Sequence, residues 1–127
     1  MNVLLDTHAL LWFLNGNNEL SEKSRKAIEE INNDKFISIA SLWEIAIKIS
    51  LKKLEFKKGF KNIYRLIEEN GFNILPISFE HTLIVSGLEF IHRDPFDRLL
   101  IAQAIHEKMI IITKDSNITK YHVKTLW

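Results

Sequence analysis

Four carboxylates in this chain stand where they could act together. Asp6 follows the apolar run "NVLL", Glu44 lies in "ISIASLWEIAIK", Asp97 in "HRDPFDRLLIAQA", and Asp115 closes "MIIITKD". Carboxylates brought to one place repel one another, and each favours protonation or separation unless a cation neutralises the group. Hard divalent ions supply that cation: magnesium takes oxygen ligands, is held through one or two carboxylates, and keeps waters that leave room for a phosphate. The histidines His8, His81, His92, His106 and His122 show no spacing that demands a zinc site or a metal-free catalytic pair, so magnesium or manganese is the expected ion.

Each acid also has an ordinary structural role. Asp6 or Thr7 can cap the helix that follows. Ser41 and Glu44 read as a capping box, with Lys48 one turn further on as a partner for the glutamate. Asp94 is an N-cap candidate with Pro95 at the first helical position, which leaves Asp97 in the first turn, where a carboxylate favours the helix dipole. Asp115 can cap a short turn over "SNITKY". Taken singly these roles suffice; taken together, four acids at one edge call for a cation. Around them, Thr7 can reach a phosphate or cap, and His8 can touch a phosphate or order a water, although a buried or capping imidazole is the commoner role for a histidine so placed. Arg93 and Arg98 can steer phosphate or pair with a nearby carboxylate, and Thr113 can hold Asp115.

The elements that must position these residues follow from the pattern. Short apolar, β-branched or aromatic runs at Asn2–Leu5, Phe36–Ile39, Phe72–Ile77, Met109–Thr113 and Val123–Trp127 predict strands. Segments of helical period at about Thr7–Asn15, Ser21–Asn33, Ser41–Lys53, Gly59–Asn70, Phe79–Ile91 and Pro95–Lys108 predict the helices between them. Such alternation implies crossover connections and a mostly parallel sheet covered on both faces. In open parallel sheets, ligands bind beyond the carboxyl ends of the strands, and all four acids map to that edge.

The bulk composition bounds the rest. A chain of 127 residues with 46% hydrophobic content suits one domain, residues 1–127, with an ordinary core. Seventeen basic against sixteen acidic residues leave a formal charge of +1, so nucleic-acid binding has to come from local clustering. The segment "KISLKKLEFKKGFKNIYR", Lys48 to Arg65, offers such a cluster, with Glu55 its one acid, or else a solvated face. Without cysteine, disulfides, thiolate metal sites and a cysteine nucleophile are excluded, in keeping with a reducing cytoplasm. No apolar run approaches the roughly 18 residues of a membrane span, and the amino terminus does not read as a signal peptide. The segment "SLWEIAIKISL" is apolar in nearly every helical direction, which fits either a helix buried in its own domain or one covered in part by another chain.

In order and spacing, "LLDTHALLW", "SLWEIAIK", "HRDPFDRLLIAQA" and "IITKD" resemble the PIN-domain ribonucleases over essentially the whole chain, and among them the VapC-type toxins of toxin–antitoxin pairs. The resemblance implies an α/β, PIN-like three-layer fold with a mostly parallel, about five-stranded central sheet flanked by helices. It implies Asp6, Glu44, Asp97 and Asp115 as the catalytic, metal-binding set for Mg2+ or Mn2+. Asp94 is the extra acid of the "DPFDR" version, read as mainly a cap, while Thr7, Arg98 and Thr113 remain candidates for substrate contact or support. Ile118 departs from the pattern, since relatives often carry an aromatic there.

The function so implied is a divalent-metal-dependent endoribonuclease, the toxic half of a toxin–antitoxin pair, leaving 5′-phosphate and 3′-hydroxyl ends because water is the nucleophile. Its implied partners are a single-stranded or looped RNA substrate, a cognate antitoxin that wraps the active-site face, and a second copy in a homodimer; no membrane is implied. Two alternatives stand beside it: a non-toxin PIN-like nuclease acting in RNA processing or on DNA, and a non-catalytic module that binds nucleic acid or protein. Presence of all four acids disfavours the last.

Overall fold

A computed structural model describes residues 1–127. Its centre is β1 (Asn2–Leu5), flanked by β2 (Asp34–Ser38) and β4 (Ile110–Ile112), with β3 (Asn73–Leu75) and β5 (Thr125–Leu126) at the two edges, giving the order β3-β2-β1-β4-β5. All four pairings are parallel. The helices are α1 (Thr7–Asn15), α2 (Glu22–Glu29), α3 (Ile39–Ser50), α4 (Ile63–Glu69) after a single 3-10 turn, α5 (Phe79–Gly87), α6 (Pro95–Glu107) and α7 (Ser116–Thr119).

The sheet is buried on both faces, as β1 makes plain. Val3 and Leu5 point into one core with Leu10, Ile28, Ile45 and Ile67 from α1–α4. Leu4, pointing the other way, joins Leu100, Ile101 and Ile118 from α6 and α7. Side chains alternate across a strand, so a run of consecutive apolar residues requires two covered faces and therefore three layers. Helix α5 stands outside this arrangement: it packs on α6, and His81 is its one buried residue. That imidazole holds it in place, accepting from the Ser78 amide through Nδ1 at 3.0 Å and meeting Glu107 through Nε2 at 2.8 Å.

Several expected bounds shift for local reasons. Helix α2 ends four residues early, where the Asn33 side chain donates to the Ala27 carbonyl and turns the chain into β2. Helix α3 begins two residues before Ser41, capped by Ser38, whose hydroxyl accepts from the Ala40 amide at 3.0 Å. The chain after Gly87 leaves helical geometry, and Arg98 donates to the carbonyls of Leu88 and Glu89 there.

Candidate active site

The strand register creates the site. Leu5 is level with Ile37 on one side and Ile112 on the other, so Asp6, Ser38 at the last position of β2, and Thr113 stand at one height along the carboxyl edge of the sheet. Asp6 caps α1: its Oδ1 accepts from the Ala9 amide at 2.8 Å, and its Oδ2 accepts from the Thr113 hydroxyl at 2.5 Å. Thr113 in turn accepts from the Asp115 amide at 3.0 Å, so one hydroxyl ties two acids together. Asp6 is 5% exposed, and burial pushes its carboxyl above the ordinary range. The Thr113 and Ala9 hydrogen bonds and the charge of His8 oppose that rise, while Asp115 adds to it.

Glu44 does not take part in a capping box. With the helix starting at Ile39, it sits in the second turn, and its Oε1 accepts from the Thr7 hydroxyl at 2.6 Å while Oε2 pairs with Lys48 at 2.9 Å. Either Ser38 or Ser41 could cap by residue type; the strand end decides in favour of Ser38. The Lys48 partnership stands as expected. Thr7 therefore spends its hydroxyl on Glu44 rather than on the helix end.

Asp94 and Asp97 divide as their spacing suggests. Asp94 caps α6, accepting from the amides of Phe96 and Asp97 at 2.9 and 3.1 Å, with Pro95 first in the helix. Asp97 points back toward the other acids and meets His92 Nε2 at 3.2 Å. Its carboxyl is pushed up to about 7, chiefly by burial and then by the Asp94 charge, with the His92 hydrogen bond opposing and Asp115 adding a smaller repulsion. Asp115 caps the short α7, accepting from the Asn117 amide at 2.8 Å.

Asp6, Thr7, His8, Glu44, Lys48, Asp94, Asp97 and Asp115 line one cavity of about 70 Å³ with no apolar wall. Five carboxyl groups thus face one lysine and one histidine, a surplus of negative charge that a hard cation would relieve. As they stand, no three acid or imidazole groups close tightly enough on one point to hold an ion; Glu44 is engaged by Lys48, and Asp6 by Thr113. The donor chemistry suits a divalent ion, since a carboxylate oxygen that accepts one hydrogen bond keeps a second lone pair for a ligand. Cavity size alone does not mark the place. The largest cavity, about 540 Å³, lies at the opposite edge of the sheet around Met1, Asn2, Lys108 and Ile110, and no carboxylate lines it.

Arg98 does not line the acidic cavity. Rather than facing phosphate or an acid of the site, its buried guanidinium donates to the carbonyls of Leu88 and Glu89 and to the Tyr121 hydroxyl. Arg93 lies with it, away from the acids, beside a cavity of about 380 Å³ walled by Phe90 and Leu99. Ile118 is 1% exposed in the second core, so an aliphatic side chain fills that position. His92 escaped the sequence reading: it links Asp97 to Tyr121, whose hydroxyl lies 2.8 Å from Nδ1, and no spacing rule joins residues 92 and 121. In the lysine-rich segment Lys52, Lys53, Lys57, Lys58 and Lys61 are exposed while Phe56 and Ile63 are buried in the main core, and Lys52 and Lys53 stand beside Phe56 and Phe60 around a groove of about 480 Å³.

Fold and cavity together define an α/β protein whose polar residues collect at the carboxyl edge of a parallel sheet. The PIN domain family model matches residues 3–124, and the chain belongs to that family, a family of nucleases. No curated protein matches the chain by sequence. Among solved structures it is similar to VapBC2 from Rickettsia felis bound to a DNA fragment from their promoter, with 20% identity, 99% of this chain and 98% of that chain covered, and a TM-score of 0.74. It is similar to VapBC-1 from nontypeable Haemophilus influenzae, with 18% identity, 99% and 97% covered, and a TM-score of 0.65. The PIN domain endonuclease Utp24 also shares the fold, at 16% identity, 94% and 74% covered, and a TM-score of 0.53.

Proposed function

We propose that this chain is a divalent-cation-dependent endoribonuclease and the toxin of a toxin–antitoxin pair, of the VapC type. The observation that carries the reading is the all-polar cavity into which Asp6, Glu44, Asp97 and Asp115 converge from four separate segments. In this reading those four carboxylates hold Mg2+ or Mn2+, with Asp94 as the helix cap beside them. When bound, the ion supplies charge neutralisation at the scissile phosphate and a more acidic water. The chain's own residues provide the frame. Thr113 fixes the Asp6 carboxylate and the Asp115 backbone, Thr7 and Lys48 fix Glu44, and His92 fixes Asp97. Water attack implies products with 5′-phosphate and 3′-hydroxyl ends.

An antitoxin partner is supported by the likeness to VapBC assemblies and by apolar side chains left in the open. Trp43 on α3 is 60% exposed, and Phe79 and Leu83 on α5 are 73% and 59% exposed. A second copy and an antitoxin segment are the occupants proposed for these faces. A cytoplasmic setting fits the reading, and no helix is long and apolar enough to cross a membrane.

The test is to incubate the purified chain with single-stranded RNA, with and without magnesium or manganese, beside Asp6→Asn, and to map the product ends. Cation-dependent cleavage with 5′-phosphate ends, lost in the variant, is the expected result. Cleavage that survives chelation or the substitution would sink the acid-cluster mechanism.

A further inference from the structure

A second cavity, of about 220 Å³, adjoins the acidic one and is lined by Asp6, His8, Trp12, Lys114 and Asp115. Asp6, His8 and Asp115 belong to both, so whatever fills the larger space touches the walls of the smaller. The larger cavity has a different chemistry, because an aromatic pair forms its wall. His8 and Trp12, one helical turn apart on α1, lie with ring centroids 5.5 Å apart and planes inclined by 24°, a stacked arrangement. Trp12 is braced from behind: Trp127 meets it edge-on at 5.7 Å, and it packs against the main core. His8, by contrast, is exposed. An imidazole that faces water while its other face rests on an anchored indole is a rigid planar shelf.

Charge completes the description. The Lys114 ammonium stands 5.9 Å from the Trp12 ring centre and is held there by Glu19 at 3.0 Å. It brings a cation to the rim of a cavity otherwise edged by Asp6 and Asp115. Planar aromatic surface and a nearby cation, next to a place suited to phosphate chemistry, are the two ingredients by which proteins hold unpaired nucleotides: a base stacks and the backbone is met by positive charge. Stacking tolerates any base, since every base has a π face, but it requires that face to be free of a neighbouring base pair.

We infer that the His8–Trp12 shelf and Lys114 form a nucleobase-stacking subsite that holds one unpaired nucleotide of a single-stranded RNA next to the phosphate at the acidic cavity. This deepens the nuclease reading and rests on it for the placement of that phosphate. His8 is here a positioning residue, which orders the strand by stacking without exchanging a proton. The subsite accounts for a preference for unstacked RNA without naming a sequence.

The experiment uses the full chain carrying Asp6→Asn, so that binding is observed without cleavage. In magnesium buffer it is titrated into a set of single-stranded oligoribonucleotides, each with one 2-aminopurine at a successive position. Stacking on the shelf quenches the fluorescent base at one position. Adding His8→Ala is expected to abolish that quench and weaken binding about tenfold, the size of one lost base stack. His8→Phe keeps a planar ring and is expected to preserve both. The inference is overturned if no position is quenched, if the oligonucleotides fail to bind, or if His8→Ala leaves quench and affinity unchanged. The nuclease reading fails separately: RNA left intact by the unsubstituted chain with cation present would overturn it even where quenching is seen.

Discussion

Asp97 carries the clearest electrostatic signature of the site. Its carboxyl is pushed up to about 7 from an ordinary 3.8, so the folded state retains a proton that the unfolded chain releases. The resulting stabilisation is complete below about pH 4 and is lost as pH rises through about 7. Solvent reaches this group, since its side chain is 18% exposed, and screening reduces the effect to on the order of 1 kcal/mol. Asp97→Asn should therefore exceed the parent in stability at pH 8 and equal it at pH 4, as denaturant titrations at the two values would reveal; an unchanged difference between them would contradict the account. Thr113 acts through its neighbours. Replacing it with valine removes the donor to Asp6 and the acceptor for the Asp115 amide, which should destabilise the fold by about 1–2 kcal/mol. Magnesium affinity should fall with it, measured by calorimetry.

At the scale of elements, α6 separates two acids that residue type alone does not. Asp94→Asn keeps the cap, because asparagine caps as well as aspartate, and should leave both stability and cleavage within a fewfold of the parent. Asp94→Ala should lose about 1 kcal/mol of stability. Asp97→Asn should instead remove cleavage by about a hundredfold or more, the several kcal/mol that a lost cation ligand takes from the transition state. Thermal melts and initial rates of the three variants decide the assignment. The same helix explains why Arg98 is structural. Arg98→Met leaves two backbone carbonyls and the Tyr121 hydroxyl short of a donor, and should cost about 2–3 kcal/mol in stability with the cation affinity of the remaining fold unchanged. The "DPFD" spacing made the cap and the inward acid legible. The role of Arg98 was not, because the carbonyls it satisfies belong to a loop that the periodicity assigned to helix.

For the whole molecule, the uncovered apolar surface sets the expectation. Helices α3 and α5 both pack on α6, and both leave large side chains in water: Ile39 and Trp43 on the one, Phe79 and Leu83 on the other. Trp43 is held edge-on against Phe96 at 5.4 Å, a fixed surface rather than a loose ring. If these faces join two copies, the parent chain sediments as a dimer, and the double variant Trp43→Glu with Leu83→Glu sediments as a monomer with unchanged circular dichroism. A parent that is monomeric at micromolar concentration would leave the faces to a different protein partner.

The sequence by itself determined the order of strands and helices, the parallel sheet, and which edge of it gathers acids, because strand runs such as "NVLL" and helix starts such as "DPFD" are local signals with local causes. It also carried the family, through four short motifs in order. Tertiary structure alone decided what each polar group touches. Thr7 meets Glu44 across 37 positions and Thr113 meets Asp6 across 107, and no periodicity encodes pairings of that kind. It likewise moved the cap of α3 to Ser38 and its first residue to Ile39, since the end of β2 rather than serine propensity sets where the helix begins. It turned Arg98 into the core and placed Trp12 beneath His8, because burial and ring stacking depend on which surfaces the packed layers leave open.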